Sequence, residues 1–389
     1  MKYVRREIED VALRYLSGFS VLGLTGPRQS GKSTMLKHLL GDKYQYVTFD
    51  DYRMVALFES DPERFMEIYS DKVIFDEVQK VPAIFNYIKI AVDNDRDNCG
   101  KFVLTGSSQF VLLSRITESL AGRIGLLSLL PFSFREIPDR LRTKAEFSGS
   151  YPELVNKKFE FTQEWYSSYL ESYLNKDVRA ISNIGNMADF RRFLGLCAAH
   201  ASEIVNMSKF AGELGVAIST IKHWLAVLQA SYIIFLLDPY YNNLKKRITK
   251  SPKLYFYDTG LVSFLTGIRT EELYRDSVMA GSLFENYIIS EIKKKHLNFN
   301  IRKDLYYLRT SNGLEIDLII DDHQIAEFFE IKSTSTFKPQ MLKPMQTMKK
   351  EQSTGTLLYR GKAMEYGADL RVANYKIFLS DTAQISHTM

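Results

Sequence analysis

Residues 21–34 read Val21-Leu22-Gly23-Leu24-Thr25-Gly26-Pro27-Arg28-Gln29-Ser30-Gly31-Lys32-Ser33-Thr34 and set the architecture of the first third of the chain. Val21 to Leu24 is a short apolar strand, Gly26 to Ser33 satisfies G-x-x-x-x-G-K-[ST], and a helical run Met35-Leu36-Lys37-His38-Leu39-Leu40 follows. A strand before and a helix after is the setting in which this spacing forms a phosphate-binding loop. The glycines let backbone N–H groups curl round phosphate oxygens, and the helix N-terminus adds the positive end of its dipole. The expected ligand is ATP with Mg2+, cradled by Gly26, Pro27, Arg28, Gln29, Ser30, Gly31, Lys32, Ser33 and Thr34. Lys32 would reach the outer phosphates, and the Ser33 hydroxyl would ligate Mg2+.

Downstream, Lys72-Val73-Ile74-Phe75-Asp76-Glu77 is an apolar strand ending in two acids. Asp76 is expected to hold Mg2+ through water, and Glu77 to polarise the attacking water. Two acids can also end a solvated strand, but here they follow a phosphate-binding loop at ordinary spacing. A third strand, Lys101 to Ser108, ends in hydroxyl residues. It is expected beside the loop-bearing strand, with Ser107 or Ser108 sensing the γ-phosphate, although Gly-Ser-Ser suits a turn equally. Tyr46-Val47-Thr48-Phe49 fits another strand of the same sheet. Alternating strands and helices imply a parallel sheet covered on both faces. In Ser119-Leu120-Ala121-Gly122-Arg123, the arginine suits an arginine finger, acting on its own ATP or on that of a neighbour in a homo-oligomer; a helix-end arginine suits the sequence equally.

Composition narrows the class. At 389 residues the chain suggests two or three domains, and 45% hydrophobic with 25% charged residues is a globular balance. A net charge of +5 leans weakly toward an anionic partner without establishing nucleic-acid binding. Cys99 and Cys197 lie far apart and form no metal pattern, so reduced thiols are expected. The most apolar run, Tyr232 to Leu237, is too short for a membrane span, and the charged N-terminus does not read as a signal peptide. A cytoplasmic protein is expected.

From about Trp165 the alternation gives way to helices. Asn206 to Gly215 followed by Val216 to Leu225 has the rhythm of a helix-turn-helix, with a Ser/Thr-capped second helix and Ile221, Leu225 and Leu228 facing a core. Tyr232 to Leu237 and Lys253 to Tyr257 read as a β wing, with Lys245, Lys246 and Arg247 between them to meet duplex DNA phosphates. Lys222 and His223 are the only cationic groups on the second helix, so protein contact or plain packing suits this region equally.

In the last third, Phe284 to Ile292 is an amphipathic helix carrying Glu285. Leu305 to Arg309, a Ser311-Asn312-Gly313 turn and Leu314 to Ile320 form a hairpin, and Ile325 to Lys332 returns as a third strand. With Ile320 paired to Ile325, Asp317 lies opposite Phe328 and shares a face with Glu330 and Lys332, while Ile316, Leu318, Ile320, Phe329 and Ile331 take the other. An acid and an acid-x-lysine meeting across a hairpin is the metal site of PD-(D/E)xK phosphodiesterases. Asp317, Glu330 and Glu285 would bind Mg2+, and Lys332 would position or activate water. A salt-bridged sheet face is the plain alternative.

The order of motifs resembles that of a large prokaryotic family of AAA-type ATPases with a C-terminal domain of unknown function. The resemblance covers nearly the whole chain and rests on residues 26–34, 73–82, 104–108, 119–123, 251–261, 281–286, 313–317 and 330–333. It implies an α/β fold with an ASCE/AAA-type parallel sheet core (1–160), a helical winged-helix region (161–275) and a restriction-endonuclease-like domain (276–389). It also adds weight to Arg123 as an arginine finger. The combined expectation is an ATPase driving a DNA-directed, metal-dependent nuclease module. The alternatives are an ATP-controlled switch that assembles with a protein partner and a DNA-binding regulator that does not cut.

Overall fold

The computed structural model describes residues 3–106, 119–178, 184–240, 251–310, 312–322, 325–348, 353–367 and 369–381. The N-terminal unit runs α1 (Glu9–Gly18), β1 (Val21–Thr25), α2 (Lys32–Leu40), β2 (Gln45–Thr48), α3 (Tyr52–Ser60), α4 (Pro62–Ile68), β3 (Val73–Asp76), α5 (Ile84–Asp93), β4 (Phe102–Thr105) and β5 (Ile124–Ser128). Its sheet is parallel throughout, in the order β2-β3-β4-β1-β5. The strand that ends in Thr105 therefore lies between the strands that end in Thr25 and Asp76. Strand alternation sends Val21, Phe75 and Phe102 into one buried cluster with Phe58, Phe65 and Ile88. Leu22, Leu24, Ile74 and Val103 go into another with Met35, Leu36 and Leu16. Both faces are covered, as an all-parallel sheet requires.

The helical region contains α6 (Asp139–Ser148), α7 (Pro152–Asn156), α8 (Thr162–Ser172), α9 (Met187–Ala199), α10 (Met207–Leu214) and α11 (Ile218–Ala230). Asn206 caps α10 by accepting from the Lys209 N–H, and Gly215 ends it in the left-handed conformation at φ 69°. Ile221, Leu225 and Leu228 are buried with Trp224 against Phe190 and Phe193. The expected Ser/Thr cap of α11 is absent: its N-cap is Ala217, with no side-chain bond. Lys222 and His223 sit on the exposed side of α11.

The hairpin read as a wing belongs elsewhere. β6 (Ile234–Pro239) pairs antiparallel with β7 (Lys253–Phe256) and parallel with β8 (Asp304–Arg309), so both join an eight-stranded sheet. The cause is its apolar content. Phe235, Leu237, Tyr255 and Tyr257 are buried with Phe284, Ile288 and Leu318, which a projecting wing would leave in water. Lys245, Lys246 and Arg247 lie outside the described residues.

After α12 (Thr259–Leu265) and α13 (Glu271–Asp276) comes α14 (Ala280–Asn298). It is followed by β8, β9 (Glu315–Asp321), β10 (Ala326–Lys332), α15 (Lys343–Met348), β11 (Thr354–Tyr359), β12 (Met364–Glu365), β13 (Leu370–Asn374) and α16 (Tyr375–Ser380). The sheet order is β12-β13-β11-β10-β9-β8-β6-β7, with β10, β11 and β13 parallel to one another. Both faces are again buried. Leu318, Ile320, Phe329 and Ile331 lie with α14 residues, and Ile319 and Phe328 with Leu342 and Met345. Among the described residues no helix is long and apolar enough to cross a membrane.

On α14, burial and then the charge of Lys293 hold the pKa of His296 down to about 4, from an ordinary 6.5. A depressed folded value means the stability it contributes is present above pH 6.5 and lost as pH falls toward 4. The loss is roughly 3 kcal/mol at most. His296→Gln is expected to lose less stability than the parent between pH 7 and 4.5, read from urea unfolding. Equal losses in both proteins contradict that assignment.

Candidate nucleotide and metal sites

The phosphate-binding loop is built as its sequence demands. Gly26 has φ 144°, and a Cβ there would lie 2.1 Å from the Leu129 carbonyl oxygen, so no other residue fits. Gly31, at φ 94°, turns the chain into α2. The buried Lys32 Nζ donates to the carbonyls of Gly26 and Pro27, at 2.9 Å each. Ser33 Oγ donates to Asp76 Oδ2 at 3.0 Å, and the Tyr46 hydroxyl donates to the same oxygen. Asp76 Oδ1, Ser30 Oγ and Thr105 Oγ1 are buried with no hydrogen-bond partner. Orphaned buried oxygens are costly, and three at one end of a sheet suit a cationic, hydrogen-bonding ligand such as Mg2+ with a nucleotide. Ser33 and Asp76 are the residues that would hold the ion.

Glu77 follows β3 in the left-handed region, at φ 57° and ψ 41°, and accepts from the Gln79 side-chain amide. Burial raises its pKa above the ordinary carboxylate value, against the lowering charges of Lys32 and Arg28. Ser107 lies outside the described residues. Three further residues join the site. Thr105 ends β4 in register with Asp76 on one side and Leu24 on the other. Arg6, 3% exposed, donates to the Ser30 carbonyl at 2.8 Å, to the Leu130 carbonyl at 2.7 Å and to Glu136 at 3.0 Å. The Tyr232 hydroxyl meets Thr25 Oγ1 at 2.5 Å and Ser128 Oγ at 2.9 Å. A cavity of about 420 Å3 opens beside Gln29, Gly31 and Thr34, walled by Tyr3, Arg6 and Pro152.

Arg123 is not brought to this site. It precedes β5, its carbonyl accepts from the Val21 N–H, and its guanidinium grips Asp93 at 2.7 and 3.0 Å. It therefore stands at the opposite edge of the sheet, about 15 Å from the loop at the usual rise per strand residue. Of the two arginine-finger roles, the one on its own nucleotide is removed by that distance.

In the C-terminal sheet the register differs from expectation by two residues: Ile320 pairs with Glu327, and Leu318 with Phe329. That even shift leaves the faces unchanged; strict alternation is broken by a β-bulge in the β8–β9 pair. Tyr306 to Leu308 on β8 spans two residues where Ile319 to Ile316 on β9 spans three. The extra residue puts Ile316 and Ile319 in one buried cluster at a spacing of three and re-aims Asp317. The β9–β10 ladder runs only to the Leu318–Phe329 pair, and the Asp317 carboxylate accepts from the Ile331 N–H at 2.8 Å.

Lys332 Nζ lies 3.2 Å from Asp317 and 2.8 Å from Glu330, and Glu330 Oε1 is buried without a partner. Glu285 instead bonds Lys253 at 3.0 Å and the Tyr255 hydroxyl at 2.6 Å, and Lys253 also pairs with Glu315. Burial first, then the charge of Asp317, raises both Glu285 and Glu330 above the ordinary carboxylate range. The expected cage of Glu285, Asp317 and Glu330 is not assembled. Among the described residues no three His, Cys, Asp or Glu side chains stand together as a metal cage, and the buried Lys253 and half-buried Lys332 pair with the acids instead. Asp317 and Glu330 alone, with their orphaned oxygen, fit a divalent ion by chemistry.

Residues 18–138 match the AAA domain family, and residues 139–272 and 280–378 match two domains of unknown function, DUF8612 and DUF4143. An uncharacterized protein of Mycobacterium tuberculosis is 29% identical over 334 residues, covering 85% of this chain and 74% of its own. One from Methanocaldococcus jannaschii is 26% identical over 333 residues, covering 76% of this chain and 70% of its own. Among solved structures, the Walker-type ATPase of Pyrococcus abyssi covers 68% of this chain and 96% of its own at 16% identity and a TM-score of 0.48. Residues 18–138 are thus similar to the AAA domain family, and the sheet they contain is parallel throughout.

Proposed function

We propose that this chain hydrolyses ATP with Mg2+ and uses the nucleotide state to govern a DNA-directed C-terminal module with phosphodiesterase chemistry. The observation that carries the first half is the Ser33–Asp76 contact beside the orphaned Asp76 Oδ1, at the mouth of a loop that only glycine can close. Ser33 and Asp76 would hold Mg2+, which neutralises phosphate charge when bound. Lys32 would exchange its loop carbonyls for outer phosphate oxygens. Glu77, its pKa raised by burial, is the group placed to take the proton of the attacking water. Arg123 would serve only a neighbour's nucleotide, in a homo-oligomer.

Coupling has a physical carrier. Tyr232 joins the C-terminal sheet's hairpin to the end of β1. On α14, Glu291 accepts from the Phe134 N–H, and Lys294 donates to the Phe132 carbonyl and Ser150 Oγ. Glu285 stands on that same helix, two to three turns away, so a shift of the segment after β5 moves the acid beside Asp317.

A second reading, an ATP-controlled switch that binds a protein partner without cutting, is favoured by the hairpin's burial in the sheet and by the lysine-neutralised acids. The ATPase half is tested first by equilibrium ATP binding to the full chain with Mg2+. Lys32→Ala is expected to weaken binding at least about 100-fold, the worth of two charge-assisted contacts. Unchanged affinity would sink the loop assignment.

A further inference from the structure

Three parallel strands end side by side in the C-terminal sheet, Lys332 paired with Tyr359 and Tyr359 with Asn374. The residues just beyond, Ser333 and Arg360, line a cavity of about 350 Å3 together with Asn374, and α14 begins at its rim with Ala280. Ligands of α/β sheets gather in such crevices, outside the carboxyl ends of parallel strands. The volume is that of a small-ligand site, larger than one phosphate group.

Its wall is cationic. Arg275, Arg360 and Lys376 line it, and no carboxylate does. Arg360 is anchored, gripping Glu146 and stacking over the Phe284 ring at 4.2 Å. Among the described residues Arg275 holds only Glu271 on its own short helix, an exposed pair of little worth, and can turn inward. Lys376 donates to Thr143 Oγ1 at 2.8 Å and has no acid partner among the described residues. The wall also includes Tyr274, 2% exposed. Burial, the nearby charge of Glu146 and a hydrogen bond to that carboxylate keep its hydroxyl protonated. The first turn of α14 has no side-chain cap, and a Cβ at Gly281 would meet nothing. Its N–H groups add the positive end of a 19-residue helix.

We propose that this crevice binds a phosphate monoester group, the end of a nucleic-acid strand, with Arg275, Arg360, Lys376 and the start of α14 on the phosphate. The Tyr274 and Tyr375 side chains leave an aromatic wall for the attached sugar or base. The site is separate from the phosphate-binding loop, and binding there needs no chemistry at Glu77 or Asp317.

The test uses the full chain carrying Lys32→Ala, so that the loop does not retain the probe. A fluorescent single strand with a 5′-phosphate is compared with the same strand bearing a 5′-hydroxyl, with inorganic phosphate and dAMP as competitors. The phosphorylated strand is expected to bind about tenfold or more tightly. Arg275→Gln with Lys376→Gln, both exposed and so tolerated by the fold, should erase the difference, and Arg64→Gln, an exposed cation far from the crevice in sequence and with no role assigned to it, should preserve it. Direct binding of dAMP and phosphate without any strand preference would assign the pocket to a small phosphorylated molecule and keep its chemistry. Equal affinities with no binding of either competitor overturn the proposal, as does a preference that survives the double substitution or vanishes in Arg64→Gln.

Discussion

Glu77→Gln lowers ATP turnover about 10²- to 10⁴-fold, the usual worth of a positioned general base, and leaves ATP affinity within a few-fold. The separation follows from geometry. Glu77 lies one residue past Asp76, on a left-handed backbone, and its carboxylate bonds Gln79 while Ser33 bonds Asp76. Gln keeps the shape and the hydrogen bond with Gln79 but cannot take a proton. Steady-state phosphate release beside equilibrium nucleotide binding reads both quantities. Equal loss of binding and turnover would show Glu77 acting through the fold, and full turnover would move the base elsewhere.

Asp317→Ala is expected to reduce metal-dependent phosphodiester cleavage at least about 100-fold while ATP turnover stays within about twofold. Asp317 accepts from the Ile331 N–H, pairs with Lys332 and raises the pKa of both Glu285 and Glu330. It is the one acid that every other member of the cluster senses. Asp317→Asn keeps an acceptor for Ile331 but removes the charge, so matched losses in both variants, at unchanged melting temperature, identify the charge as the cause. An intact chain with no cleavage in Mg2+ or Mn2+ would favour the protein-partnered switch.

Legibility differed along the chain for physical reasons. The loop could be read directly because close backbone approach to phosphate forces glycine and lysine at fixed spacing, and three apolar runs marked β1, β3 and β4, with β4 expected beside β1. Arg6 and Tyr232 could not be read. Each acts through a buried guanidinium or hydroxyl whose partner lies far away in sequence, such as Leu130 for Arg6 and Thr25 for Tyr232. In the C-terminal sheet, parity placed Asp317 near Glu330 and Lys332, yet the register was two residues off. The turn between β9 and β10 begins one residue later than its sequence suggested, and the bulge between β8 and β9 leaves no mark in an alternating apolar pattern. Lys253 stands in an aromatic run that reads as a wing strand, and only the hairpin's capture by the large sheet brings it to Glu285. The register and the hairpin's place were therefore set by tertiary packing, not by local pattern.

ATP turnover by the full chain, measured with Mg2+ in the absence and presence of double-stranded and single-stranded DNA beside Glu77→Gln, tests the link between the two halves. DNA-stimulated turnover that Glu77→Gln abolishes is the predicted result. Turnover indifferent to either DNA would contradict it and leave the acids around Asp317 as part of a binding surface.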